Sequence, residues 1–250
     1  MPDVSSADAT LGAVTDRASP ARALALSRRG RLVLAALGFI PLVHVLAVVM
    51  PLVAAASGRV PGRLAVVAAA AVLFLLPPLV VRFTWRGRLP PPRSDPGTAM
   101  FVWWWFSAQW QVIFNRLPWF EECLRLVPGL YSTWLRLWGA RVGGLVYWSP
   151  GVTVLDRQWL RIGSRVTLGA GVRLNGHAIA RHRQESAALF LGPITIGDDT
   201  IIGGYSLLLP GCEIAAGELT PPFRTIHPFS RWERGRHVTK TDAGLAQALQ

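Results

Sequence analysis

A chain of 250 residues with 26 basic and 14 acidic side chains has a formal charge of +12, and 51% of it is hydrophobic. It is long enough for one or two domains and more apolar than a soluble domain usually is. Its two cysteines, Cys123 and Cys212, lie far apart, which leaves no disulfide framework and no cysteine metal spacing.

Residues 1 to 30 are rich in Ala, Ser, Asp and Arg without a core pattern, and read as a flexible tail. Residues 31 to 85 hold two uncharged apolar runs, Leu32 to Ser57 and Leu64 to Val81, each near the ~20 residues that cross a bilayer as a helix. Pro41, Pro51, Pro77 and Pro78 are kinks that a membrane helix tolerates. The first run is too long for a signal-peptide core, and a second follows almost at once. Arg17, Arg22, Arg28, Arg29 and Arg31 precede the first run, Arg82, Arg86, Arg88 and Arg93 follow the second, and only Arg59 and Arg63 lie between. The positive-inside tendency then predicts a multi-pass hairpin in the cytoplasmic membrane with both ends, and the downstream domain, on the cytoplasmic face. Arginines at these flanks meet anionic lipid headgroups, and the same placement argues against nucleic acid as a partner.

Residues 86 to 100 form a Pro-rich linker, since three consecutive prolines end a helix. Residues 101 to 139 are crowded with aromatics, among them Trp103, Trp104, Trp105, Trp110, Trp134 and Trp138, in helices broken at Pro118 and Pro128. Indole rings suit the headgroup layer of a membrane. They equally suit a helical cap on whatever follows, and both readings stay open.

Residues 140 to 220 carry an aliphatic residue at every sixth position. Ile162, Leu168 and Leu174 keep the period, then Ile196, Ile202, Leu208 and Ile214, mostly followed by a small residue such as Gly163, Gly169, Gly197 or Gly203. Neither helix nor simple strand needs period six, whereas a parallel β-solenoid with three faces per turn does. The small residue is expected to let the backbone turn at each corner. Val142 and Val152 to Val154 are irregular early hexads. Residues 178 to 192 break the period as a loop projecting from one corner, and Cys212 reads as a small packed side chain. The repeats end near Leu219, and residues 221 to 250 form a basic C-terminal tail.

Ile162 Gly163, Leu168 Gly169, Leu174 Asn175, Ile196 Gly197, Ile202 Gly203 and Leu208 Leu209, each opening a hexad, resemble the repeats of hexapeptide-repeat acyltransferases. The resemblance covers about a third of the chain. It implies a mixed fold in which a transmembrane α-hairpin and aromatic-rich helices are followed by a left-handed parallel β-helix. It further implies a homotrimer with sites between neighbouring prisms, and an acyl-CoA co-substrate with no permanently bound cofactor. The spans and aromatic helices look like those of membrane-attached relatives. His177 matches the family's catalytic histidine and directly precedes the projecting loop. An imidazole there would take the proton of an attacking hydroxyl or amine. Asn175 either stacks in a corner ladder or orients the substrate. Glu185 is the candidate carboxylate partner of the imidazole. Arg181 and Arg183 are candidates for the coenzyme A phosphates, with Ser206 and the stretch from Pro193 to Gly211, including Gly203, along the pantetheine arm. The acceptor expected from the membrane anchor is a lipid, lipid-linked saccharide or amphipathic metabolite.

Two rival readings remain from the sequence. A zinc enzyme like the β-helical carbonic anhydrases would use His177 and His182, but it lacks an upstream third histidine. A non-catalytic trimeric scaffold would use the coil only to present the aromatic helices.

Overall fold

An aliphatic residue at every sixth position stays buried only if the chain closes a triangle and returns above itself. The computed structural model, which describes residues 26–85, 89–180 and 188–239, has this geometry. Helices α1 (Arg28–Leu37), α2 (Ile40–Ala56), α3 (Gly62–Phe74) and α4 (Leu76–Trp85) come first. A short strand β1 (Arg93–Ser94) and helices α5 (Ala99–Arg116), α6 (Trp119–Arg125) and α7 (Leu130–Leu137) follow. The coil begins with β2 (Arg141–Val142), β3 (Tyr147–Trp148), β4 (Thr153–Val154), β5 (Leu160–Ile162), β6 (Thr167–Leu168) and β7 (Arg173–Leu174). Strands β8 (His177–Ala180) and β9 (Ala188–Leu191) leave it as an antiparallel arm. It resumes with β10 (Ile194–Ile196), β11 (Ile201–Ile202), β12 (Leu207–Leu208), β13 (Glu213–Ile214), β14 (Leu219–Thr220), β15 (Thr225–Ile226) and β16 (Ser230–Glu233), and β17 (Arg236–Thr239) folds back antiparallel on β16.

Parallel pairing stacks the turns into three sheets, β2-β5-β10-β13-β16, β3-β6-β11-β14 and β4-β7-β12-β15. Every second strand residue points inward, so each sheet contributes one buried column. Val142, Ile162, Ile196, Ile214 and Trp232 form the first, Trp148, Leu168, Ile202 and Thr220 the second, and Val154, Leu174, Leu208 and Ile226 the third.

The small residue after each inward aliphatic has a different cause from the one its pattern suggests. A Cβ on Gly169 would lie 2.5 Å from the Gly204 nitrogen and 2.8 Å from the Ile202 oxygen. The requirement is close approach of successive turns, and the backbone bends elsewhere. Left-handed residues sit three positions after most inward side chains, among them Arg165, Gly171, Asp199, Tyr205, Gly211 and Phe223. At two of those corners exposed rings stack on each other, Tyr205 on Phe223 at 5.3 Å.

The coil runs further than the repeats imply, because β15 and β16 add strands beyond Pro221 and Pro222. The two prolines fall at a corner of the last turn, beside edge strands β14 and β15, where a missing N–H costs little. At the other end α7 closes the prism. Trp134, Leu135 and Trp138 are buried in one cluster with Val142, Trp148 and Val154, and Trp148 Nε1 donates to Ser132 Oγ at 3.0 Å. The aromatic helices are therefore a cap on the first turn. The linker also contributes structure, since β1 pairs antiparallel with β9 on the arm.

Upstream, residues 28–56 and 62–85 form apolar helical stretches of 29 and 24 residues, long enough to cross a bilayer. Ala65, Ala69 and Leu73 are the buried side of α3, and the two alanines let a neighbouring helix approach. His44 is buried on α2, its Nε2 3.0 Å from the Val72 carbonyl oxygen.

Candidate active site

The coil registers a fault before it reaches the site. Val142, Trp148 and Val154 follow at intervals of six, but Ile162 comes eight residues after Val154. The two extra residues bulge as a turn, with Asp156 ahead of a short 3-10 segment, Arg157–Trp159. In the next coil the same corner carries Asn175, Gly176 and His177, where the arm departs. Stacking the two places His177 Nδ1 2.6 Å from Asp156 Oδ2. Gly176 permits this, since a Cβ there would lie 2.9 Å from Asp156 Cβ and 3.2 Å from the Trp159 ring.

A carboxylate only accepts hydrogen bonds, so Nδ1 carries the proton and Nε2 is left as the basic nitrogen. Asp156 is 1% exposed, whereas the His177 side chain keeps 23% of its surface. Burial works to lower the imidazole pKa, but the charge and hydrogen bond of Asp156 outweigh it and hold the value above 6.5. The Trp104 ring on α5 packs edge-on against the imidazole, centroids 4.9 Å apart. Trp104 also joins Phe101, Trp159, Leu189 and Leu191 in a second apolar cluster, which docks the arm on α5.

The Asp156 turn is itself held by buried polar contacts. Arg157, 1% exposed, donates from Nε to Glu121 Oε1 at 2.6 Å, from Nη1 to Gln111 Oε1 at 3.0 Å and from Nη2 to Asn115 Oδ1 at 3.0 Å. Its backbone N–H donates to the same Gln111 oxygen at 3.0 Å. Glu121 Oε2 accepts from the Tyr131 hydroxyl at 2.9 Å and from Arg125 at 3.3 Å. Burial, then the neighbouring Glu121 carboxylate, pushes the Tyr131 phenol well up. Helices α5, α6 and α7 thus fix the turn that carries the carboxylate.

The sequence-derived site residues fall in different places. His177 stands at the root of the arm. Asn175 continues the ladder through its N–H to the Leu208 oxygen at 2.9 Å, and its side chain lines a cleft of about 350 Å³ with Asn115 and Arg173. Gly203 donates its N–H to the Thr220 carbonyl at 3.1 Å and Oγ1 at 3.0 Å. Ser206 is fully buried, its hydroxyl accepting from the Arg224 N–H at 3.2 Å and donating to the Pro221 oxygen at 3.4 Å. The Gly203 N–H and the Ser206 hydroxyl are therefore engaged inside the coil rather than open to a pantetheine arm. Arg181, Arg183 and Glu185, with His182, lie outside the described residues. Among the described residues the imidazole's carboxylate partner is Asp156, which the sequence reading did not name. Asp156 escaped notice because it precedes His177 by a whole coil turn, and the signal that marks it is the two-residue slip after Val154. Among the described residues no three His, Cys, Asp or Glu side chains cluster as a metal site.

No protein-family model and no curated protein matches the chain. Solved structures are similar to parts of it. A hexapeptide-repeat-containing acetyltransferase from Vibrio cholerae is 17% identical, covering 50% of this chain and 90% of its own, with a TM-score of 0.31. A maltose O-acetyltransferase from Clostridium difficile is also 17% identical, covering 52% and 87%, with a TM-score of 0.33. Soybean serine acetyltransferase is 20% identical and covers 68% of each chain, with a TM-score of 0.23. At these scores the overlap is too loose to carry a residue-level correspondence.

Proposed function

We propose that this protein is a membrane-attached acyltransferase of the hexapeptide-repeat type, moving an acyl group from coenzyme A to a hydroxyl or amine, with His177 as general base. The observation that carries the reading is the His177–Asp156 pair at the root of an arm leaving a parallel β-helix. Attack on a thioester needs a base that is neutral near pH 7 and held in one tautomer. The buried carboxylate at Nδ1 supplies the tautomer and stabilises the imidazolium that forms. In the step itself, the acceptor oxygen or nitrogen bonds to the acyl carbon as its proton passes to Nε2. The carbon–sulfur bond then breaks, and the proton leaves with the coenzyme A thiolate.

Two further features support the setting. Leu42, Val43, Leu46 and Val53 on α2, and Leu64, Val66 and Val67 on α3, are large apolar side chains left exposed, as a lipid-facing surface requires. This favours an acceptor that resides in or at a bilayer, with the coil beside the cytoplasmic leaflet. On the coil, the outward column of the second sheet runs Tyr147, Thr167, Ile201 and Leu219, apolar but for Thr167, with Tyr147, Ile201 and Leu219 63%, 47% and 65% exposed. An apolar column of this kind suits the packing of a second and third prism, and with them a homotrimer whose subunit boundary completes the site around His177.

The test is transfer itself. Detergent-solubilised protein is incubated with acetyl-CoA and a lipid extract, and free thiol release is followed together with the mass of the products. Thiol release matched by a product heavier by one acetyl group supports the assignment. Absence of transfer over a panel of acyl-CoA donors, or equal transfer by His177→Ala, removes it.

A further inference from the structure

Away from the His177–Asp156 pair, a cavity of about 740 Å³ opens where the end of α4 meets the first two coil turns. Three of its lining residues are Arg82, Arg141 and Arg161, and among the described residues no acidic side chain lines it. Arg141 and Arg161 are register partners on neighbouring strands, so two cations project side by side from one sheet face. Like charges directly opposite each other destabilise a sheet, and neither has a carboxylate partner among the described residues. Arg82 gives one N–H to the Arg136 carbonyl oxygen at 2.6 Å, which leaves most of its fork free.

Trp138, Gln158 and Trp159 are also part of the cavity wall, and they are 0%, 5% and 3% exposed. Trp138 Nε1, Trp159 Nε1 and Gln158 Nε2 lie beneath that wall, buried and without a hydrogen-bond partner among the described residues. The Gln158 oxygen accepts from Gln111 at 3.2 Å, which leaves its amide N–H groups as the unmatched ones. Three guanidinium groups exceed what a single carboxylate can accept. A phosphate, with three strong acceptor oxygens, suits the set. The remaining rim is apolar, from Phe83, Trp85 and Leu89 at the end of an apolar stretch long enough to span a membrane.

We infer that this cavity binds the phosphate head group of an amphiphile, with Arg82, Arg141 and Arg161 on the phosphate and the aromatic rim on its apolar portion. Trp159 links it to the site, since the ring that walls the cavity also packs on Gly176, next to His177. The binding site does not rest on the acyl-transfer reading, and it is tested by binding alone.

The experiment is native mass spectrometry and thermal unfolding of the full-length protein in neutral detergent. The probes are dioleoyl phosphatidic acid, dioleoyl phosphatidylcholine and inorganic phosphate. Wild type is compared with Arg141→Gln/Arg161→Gln and with Arg59→Gln/Arg63→Gln, which removes equal charge elsewhere. We expect phosphatidic acid to bind about tenfold tighter than phosphatidylcholine, and the cavity variant to lose about tenfold while the distant variant keeps its affinity. Without lipid, the cavity variant unfolds at or above the wild-type temperature, because a like-charge pair has been relieved. Protection by inorganic phosphate that the cavity variant abolishes, without a preference for phosphatidic acid, keeps the phosphate site and assigns it to a soluble phosphate ester. Equal losses in the two variants, or no phosphate-dependent binding in wild type, overturns the inference.

Discussion

The interior of the coil and its seam with the helices are both buried, but they are built on opposite plans. Inside the coil, columns of Val, Ile and Leu repeat from turn to turn, and the backbone ladder satisfies nearly every polar group. At the seam, Arg157, Glu121, Gln111, Gln158 and Tyr131 form a single charged network that has no second copy. A repeated apolar column loses one side chain as a cavity among near-equivalents. A buried ion pair that loses one partner leaves a charge with nowhere to go. The candidate chemistry lies at the border of the two, with His177 presented by the coil and its carboxylate held by the seam.

The sharpest way to separate presentation from support is His177→Ala. Turnover should fall by about two to four orders of magnitude in an acetyl-CoA consumption assay, while the circular dichroism spectrum stays that of the wild type. The seam should answer differently. Glu121→Leu strands the buried Arg157 guanidinium and should lower stability by about 3–5 kcal/mol, measured by denaturant unfolding in detergent. Pairing it with Arg157→Met should recover only part of the loss, because the Tyr131 hydroxyl and Arg125 still lose their Glu121 acceptor. A coil substitution, Leu168→Ala, should cost about 2–5 kcal/mol through a cavity, and no second substitution at a charged position should rescue it.

The smallest effect is one of pH. In wild type Asp156 holds the His177 pKa above 6.5 against the effect of burial. The acid limb of kcat/KM should therefore lie above 6.5. In Asp156→Asn only burial remains, so the limb should move below 6.5 while the plateau falls. Linkage gives the matching stability signature. A histidine whose pKa is raised on folding contributes stability fully below its unfolded value, and the contribution disappears as pH rises through the folded value. The gap in unfolding temperature between wild type and Asp156→Asn should then be widest below 6.5 and close at higher pH. A gap that does not change with pH would mean that the pair has no charge to titrate.

Much of the coil can be read from the chain because its rule is local and repeated. Ile162, Leu168 and Leu174 announce the prism through spacing alone, and the break after His177 marks where the arm leaves. Where the rule lapses, so does legibility. The purpose of Gly169 was misassigned, because contact with the Gly204 backbone involves a strand one turn away. The strands after Pro221 were missed because two prolines look like an ending when they are only a corner. Trp104 stood among many indoles, and nothing in its neighbours distinguishes the ring that covers the imidazole from the rings that close the prism.

By itself the sequence settled the period and the order of apolar stretches, aromatic helices and coil, since each depends on residues close together in the chain, and the candidate histidine followed from the resemblance those repeats carry. The tertiary structure decided which carboxylate meets that histidine, which helix covers it, and where three arginines converge. Those pairings join residues that one turn of the coil, or the whole helical cap, separates along the chain. Only the stacking of turns at a fixed spacing, against helices docked on one face, determines which of many acids, indoles and cations come within bonding distance.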